Sequence, residues 1–164
     1  MRIGIIGCGV VGAAIAYRLS QIQGLEVMVW DKRSPDQWEA TGAALGVLMA
    51  VLSPKLKGKH LQLRLQSLTL YESLIPELEA LTGQTIPYNR NGILQLCFAK
   101  DSLERWQRTQ RVRAKQGCTL DLWSRSQLIA AYPELTTASL GGAPAMGAIY
   151  SPDDRQLHPV TLTQ

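Results

Sequence analysis

The chain has 164 residues, 46% of them hydrophobic and 18% charged, with a net charge of +4. That is enough chain for one ordinary domain with its own core, and the balance excludes an intrinsically disordered segment. No apolar run reaches the roughly 20 residues that a membrane-spanning helix needs. The amino terminus reads as a core strand and not as a cleavable leader, so no membrane association and a cytoplasmic location are expected.

The first element is the most informative. Arg2 to Ile6 predicts a short buried strand that turns on Gly7, Gly9 and Gly12 into a helix running past Ala16. This strand–glycine–helix order is the phosphate cradle of a dinucleotide-binding α/β unit. Gly7 permits the tight turn, Gly9 lets backbone approach a pyrophosphate, and Gly12 lets the helix pack on the strand. The helix start adds unpaired N–H groups and the positive end of its dipole. Gly24 ends the helix, and Leu25 to Trp30 predicts a second strand closing on Asp31, where a carboxylate accepts from adenosine ribose hydroxyls.

Residues 34–44 form a polar connection that becomes rich in small residues, followed by the apolar run Leu45 to Leu52. The small-residue run ending in Leu45-Gly46-Val47 suits backbone passing close to something flat, or a helix end packed under a bulky ligand, which favours a flavin over a nicotinamide. Next, Leu61, Leu65, Leu68, Tyr71, Leu74, Leu78 and Leu81 recur at helical spacing, with Pro76 predicting a kink or break near Leu74–Ile75 and Gly83 ending the helix. Strands are predicted at 86–89 and 92–98 around a turn at Asn89–Gly92. A helix capped by Asp101 or Ser102 runs to Gln116, with a strand at 120–123 after it. Ser124 caps a short helix over Arg125 to Ala131. Residues 141–147 read as a loop and 148–150 as a strand. Pro159 starts a helix that has room for barely one turn, so the sequence reads as a truncated or split product.

Two basic segments supply most of the charge, Lys55 to Arg64 and Arg105 to Lys115. In the second, Leu103, Trp106 and Val112 form an apolar stripe with the cations on a solvated face, so nucleic acid is not an expected partner. Cys8, Cys97 and Cys118 form neither a disulfide framework nor a metal-ligand spacing, and no metal is expected.

Several segments, in order, resemble the FAD-dependent D-amino acid oxidase family, within it the glycine oxidase branch of thiamine biosynthesis. They are Ile5 to Tyr17, Val29 to Lys32, Ala40 to Leu48, Arg90 to Leu96 and Gly147 to Pro159. The likeness covers nearly all of this chain and about the first half of a family member. It implies an α/β fold, a Rossmann-like FAD/NAD(P)-binding βαβ unit with part of a mixed α+β substrate domain. Residues 1–82 would be the FAD-binding part, 83–146 the partial substrate domain, and 147–164 a return to the FAD domain.

By position, the resemblance implies that Gly7, Gly9, Val10, Val11 and Gly12 hold the FAD pyrophosphate. Asp31 would take the ribose with Lys32 beside it, and Thr41, Leu45, Gly46 and Val47 would line the way to the flavin. Asp31 stands where the family more often has Glu, Gly42 where it often has Ser, and Leu45 where it often has Ala or Gly. The implied reaction oxidises the Cα–N bond of a small amino acid with dioxygen, giving an imine and then an oxo acid, ammonia and hydrogen peroxide. The family's substrate-binding Arg lies in its C-terminal half, so no catalytic residue is assigned here, and a C-terminal partner fragment or a homo-oligomer is the expected partner. Two other readings stand beside this one: an NAD(P)-dependent dehydrogenase fragment, with Asp31 compatible with NAD and Lys32 and Arg33 leaving NADP open, and an inactive split or decayed product.

Overall fold

The computed structural model describes residues 1–34, 37, 39–136, 139–140 and 143–163. In chain order the elements are β1 (Arg2–Ile6), α1 (Val10–Ser20), β2 (Glu26–Trp30), β3 (Val47–Leu48), α2 (Lys59–Thr82), β4 (Tyr88–Asn89) and β5 (Ile93–Cys97). They continue with α3 (Leu103–Lys115), β6 (Asp121–Ser124), α4 (Arg125–Ala131), β7 (Ser139–Leu140), β8 (Ala143–Pro144), β9 (Gly147–Ser151), β10 (Arg155–Leu157) and α5 (Pro159–Leu162). They form two compact units. One comprises Met1–Val47, Gln84–Pro87 and the chain from Leu157 onward, and the other comprises Leu48–Gly83 and Tyr88–Gln156.

In the first unit β1 and β2 pair in parallel, from Arg2 opposite Glu26 to Ile6 opposite Trp30, with α1 as the crossover. Aliphatic side chains fill both strands, as parallel strands covered on two faces require. Here much of that apolar surface is open: Ile6 is 93% exposed, Trp30 52%, and Val11 and Ile15 also face solvent. The later segments join by backbone bonds, Leu157 N–H to the Gly46 carbonyl (3.0 Å) and His158 N–H to the Pro87 carbonyl (2.9 Å). Pro159 opens α5 as predicted, and the His158 ring caps it by accepting from Thr161 N–H.

The second unit is built on an antiparallel sheet ordered β5–β9–β6. Central β9 pairs Ile149 with Gln95 on one side and with Leu122 on the other. One buried cluster joins Val51, Leu52, Leu120 and Ile149, with Leu65, Ile93 and Trp106 packed against it. Another joins Leu128, Ala145 and Ala148, with Leu94, Leu96 and Trp123 around it. Helix α2 presents Leu61, Leu68 and Ile75 to the interior and ends on Gly83 in the left-handed region. It runs unbroken through Pro76, so of the expected kink or break the break does not occur. Buried Leu68 and Ile75 anchor the helix leading into Pro76, and one missing N–H bond does not outweigh that packing.

The predicted caps are present. Ser102 accepts from Arg105 N–H, and Ser124 forms a reciprocal capping box with Gln127. The expectation of a loop over residues 141–147 needs correction. Ala143 and Pro144 form β8, paired antiparallel to β7, while Gly141 and Gly142 lie outside the described residues. Two-residue strands carry no alternation to read, and proline on an edge argues against strand in a sequence.

The solvated basic face on α3 also needs correction at one position. Arg113 is fully buried. Its Nε donates to the Val51 carbonyl (2.9 Å), and one terminal nitrogen donates to the carbonyls of Ala50 (3.2 Å), Ser53 (2.9 Å) and Lys55 (2.8 Å). The same segment is held from its other side. Asp154, also fully buried, accepts from the N–H groups of Ala50 (2.7 Å) and Val51 (2.9 Å) on Oδ1 and of Leu52 (2.8 Å) on Oδ2. A buried charge persists only when its hydrogen bonds are satisfied. Here Asp154 is satisfied by one side of the 50–55 backbone, and Arg113 by the other together with Gln116 Oε1 (2.7 Å).

Candidate cofactor site

The elbow between β1 and α1 is set by three glycines. Gly7 adopts φ +100°, a region open to glycine at little cost. Its N–H donates to the Trp30 carbonyl (2.7 Å), which ties the turn to the end of β2. A Cβ at Gly12 would run into the Gly7 carbonyl oxygen, and one at Gly9 would approach Thr41 Oγ1 to 3.3 Å. Gly9 begins α1 with no side-chain cap. Val10 N–H donates to Thr41 Oγ1 (3.3 Å), while the amides of Val11 and Gly12, in the first turn, have no intrahelical acceptor. Replacing Gly12 by Val is expected to cost several kcal/mol through this backbone collision, read as a lowered melting temperature.

Asp31 stands at the end of β2 and reaches back to the elbow. Its Oδ2 accepts from Cys8 N–H (2.5 Å) and from an Arg33 terminal nitrogen (2.6 Å). Its Oδ1 accepts from Arg33 N–H (2.9 Å) and Arg33 Nε (2.8 Å). The Arg33 guanidinium, followed by the Cys8 and Arg33 amides, holds the Asp31 carboxyl well below the usual carboxylate range. Asp31 in turn raises Arg33 above its ordinary value.

These groups share one cleft of about 380 Å³, lined by Gly7, Gly9, Asp31, Lys32, Arg33 and Thr41 among others. Lys32 Nζ pairs with Glu39 at its rim (3.1 Å). Of the residues singled out in the sequence, Gly7, Gly9, Asp31, Lys32 and Thr41 thus meet, with Val10, Val11 and Gly12 in the adjoining first turn. Thr41 is buried at the elbow itself, accepting a helix-start amide. Leu45, Gly46 and Val47 are not among the residues lining this cleft. Leu45 is exposed, and Gly46 takes φ +67° where a Cβ would meet the Leu157 carbonyl. The sequence reading did not single out Arg33 as a site residue. Its signal was available: a cation two residues past the strand-closing acid is within fork reach of it.

The second unit has a cavity of about 480 Å³ at one end of its sheet, walled by Cys97, Trp106, Leu122, Trp123 and Met146. The Asp101 carboxylate beside it accepts Phe98 N–H, and Ser124 and Gln127 are spent on the capping box. Among the described residues lining it there is no cation to pair with a substrate carboxylate.

A parallel βαβ crossover, a glycine elbow and a carboxylate bonded across to that elbow define a Rossmann-like α/β protein. No helix among the described residues is long and apolar enough to cross a membrane. The chain belongs to the FAD dependent oxidoreductase (DAO) family, whose model matches residues 2–164. Among solved structures it is similar to glycine oxidase from Geobacillus kaustophilus, with TM-score 0.84 and 26% identity over 99% of this chain and 42% of that one. Glycine oxidase from Bacillus cereus gives TM-score 0.82 and 26% identity over 98% of this chain and 40% of that one. The fold is shared with an L-α-glycerophosphate oxidase from Mycoplasma pneumoniae with FAD bound, at TM-score 0.65 and 22% identity over 98% and 39% of the two chains. No curated protein matches. The chain therefore spans about two-fifths of the glycine oxidases' length.

Proposed function

We propose that this chain is the FAD-holding, amino-terminal part of an amino acid oxidase of the glycine oxidase kind. The observation that carries the reading is the Asp31–Cys8 bond, which places an ionised carboxylate at the edge of the glycine elbow in one cleft. The residues fit the adenosine diphosphate part of FAD. Gly7 and Gly9 leave room for a pyrophosphate, and the free amides of Val11 and Gly12, with that of Val10, receive its oxygens. Asp31 takes the ribose, with Lys32 beside it, and Thr41, Leu45, Gly46 and Val47 lead toward the flavin end.

In this reading residues 1–82 carry the cofactor, 83–146 begin the substrate domain, and 147–164 return toward the FAD domain. The flavin, when bound, supplies a hydride acceptor for the Cα–H of a small amino acid and passes the electrons to dioxygen. This chain contributes binding and orientation, which is the protein's main share of such chemistry. The described residues lining the second unit's cavity offer no cation for a substrate carboxylate, so that cation comes from elsewhere, as a partner fragment or a continuation.

Two measurements test this. Titrating the chain with FAD and, side by side, NADH should quench flavin fluorescence at saturable stoichiometry and leave NADH unbound; preference for NADH would overturn the flavin assignment. Peroxide assays with glycine, sarcosine and D-amino acids should give no turnover by the 164 residues alone. Turnover would show that the active site is already complete.

A further inference from the structure

The Asp31 carboxylate is saturated, and the way it is saturated has a consequence for nucleotide binding. Two carboxylate oxygens offer about four lone-pair positions. On each oxygen one is taken by a backbone amide and one by the guanidinium. Oδ2 carries Cys8 N–H and an Arg33 terminal nitrogen, and Oδ1 carries Arg33 N–H and Nε. The amides belong to the frame of the elbow and stay. The guanidinium sits on a side chain with rotatable bonds, and its departure frees one position per oxygen. A vicinal diol presents two O–H donors side by side, as the planar fork presents two N–H donors.

We propose that Arg33 acts as an internal stand-in for the ribose diol: its guanidinium occupies the two Asp31 positions that the adenosine hydroxyls need, so nucleotide enters by exchange. The proposal rests on the reading of Asp31 as ribose acceptor. The pair is largely shielded, with side chains 12% and 16% exposed, and it lies inside the cleft. A released guanidinium has a second carboxylate at hand in Glu39, which lines the same cleft and already holds Lys32. Arg33 is thus a specificity-setting residue. It charges a toll on every adenine nucleotide, and only ligands bringing two ribose donors recover it fully.

The sign of the effect separates this from simple electrostatics. Removing a cation near a diphosphate weakens binding by Coulomb attraction lost. Removing a stand-in strengthens it, because apparent affinity scales with the fraction of sites that are open. The test compares the 164-residue chain with Arg33→Met and Arg33→Lys, titrated with FAD by fluorescence quenching and with ADP and 2′-deoxy-ADP by competition. Arg33→Met is expected to bind FAD and ADP about 5- to 10-fold tighter than the parent, corresponding to a site closed some 80–90% of the time. The gain should shrink for 2′-deoxy-ADP, which brings one ribose donor fewer. Arg33→Lys keeps the charge without the fork and should fall between, which also serves if the Met variant folds poorly. Equal or weaker FAD binding by both variants, with a parent that binds, overturns the stand-in while leaving Asp31 as ribose acceptor. Absence of FAD and ADP binding in parent and variants alike overturns the ribose reading, and the stand-in with it.

Discussion

Asp154→Leu should abolish cooperative unfolding of the chain. The substitution keeps the branching, with bulkier methyls in place of the oxygens, and removes three hydrogen bonds from a fully buried carboxylate, leaving the N–H groups of Ala50, Val51 and Leu52 without an acceptor. An orphaned buried donor costs about 1–3 kcal/mol, so three cost about 3–9 kcal/mol, which rivals the roughly 5–15 kcal/mol that stabilises a whole domain. Asp154→Asn is the graded control. Its amide oxygen can still serve Ala50 and Val51, but its NH2 then faces the Leu52 donor, and about 1–3 kcal/mol should be lost. Urea melts followed by circular dichroism would order the three proteins as parent, Asn, Leu. An Asn variant as damaged as Leu would mean that the charge, and not the bond count, dominates.

Arg113→Met should cost nearly as much, by the mirror-image route. Methionine fills the space of the arginine stem and supplies no donors, so the carbonyls of Ala50, Val51, Ser53 and Lys55 lose their common partner. Removing one member of a buried charged network costs about 3–5 kcal/mol. Arg113→Lys should rescue little, because a single ammonium cannot span carbonyls that the fork reaches from Nε and a terminal nitrogen together. Hydrogen exchange would localise the damage: the amides of 50–52 should lose protection first. Because Asp154 and Arg113 grip opposite sides of one segment, the double variant Asp154→Leu with Arg113→Met should be less harmful than the sum. A strictly additive result would show that the two clamps act independently.

The parts of the fold legible in the sequence were those whose physics is local. The β1–α1–β2 crossover announced itself through glycines at fixed offsets and a carboxylate closing the second strand. Ser102 and Ser124 gave away their helices by capping chemistry, and Gly83 its helix end. What escaped depends on partners remote in the chain. Arg113 sits in a run of cations and looks like any solvated helix residue until carbonyls some sixty positions away come to meet it. Asp154 looks like a turn residue beside Asp153, yet it accepts amides more than a hundred positions upstream. At the cofactor cleft the elbow and its acid could be read from spacing. The guanidinium parked on Asp31 escaped despite its two-residue offset, because motif reading asks what a carboxylate offers a ligand and not what already holds it.

The link from Asp154 to Ala50 also sets a timetable for synthesis. At the roughly 5–20 residues per second of a ribosome, the 50–55 segment leaves the peptidyl centre about 5–20 s before its acceptor is made. Through that interval its amides are served by water alone, and the early-made leucines of α2 have only part of their eventual packing. Nascent chains arrested anywhere short of Asp154 should therefore stay protease-sensitive in this region, whatever local helix has already formed.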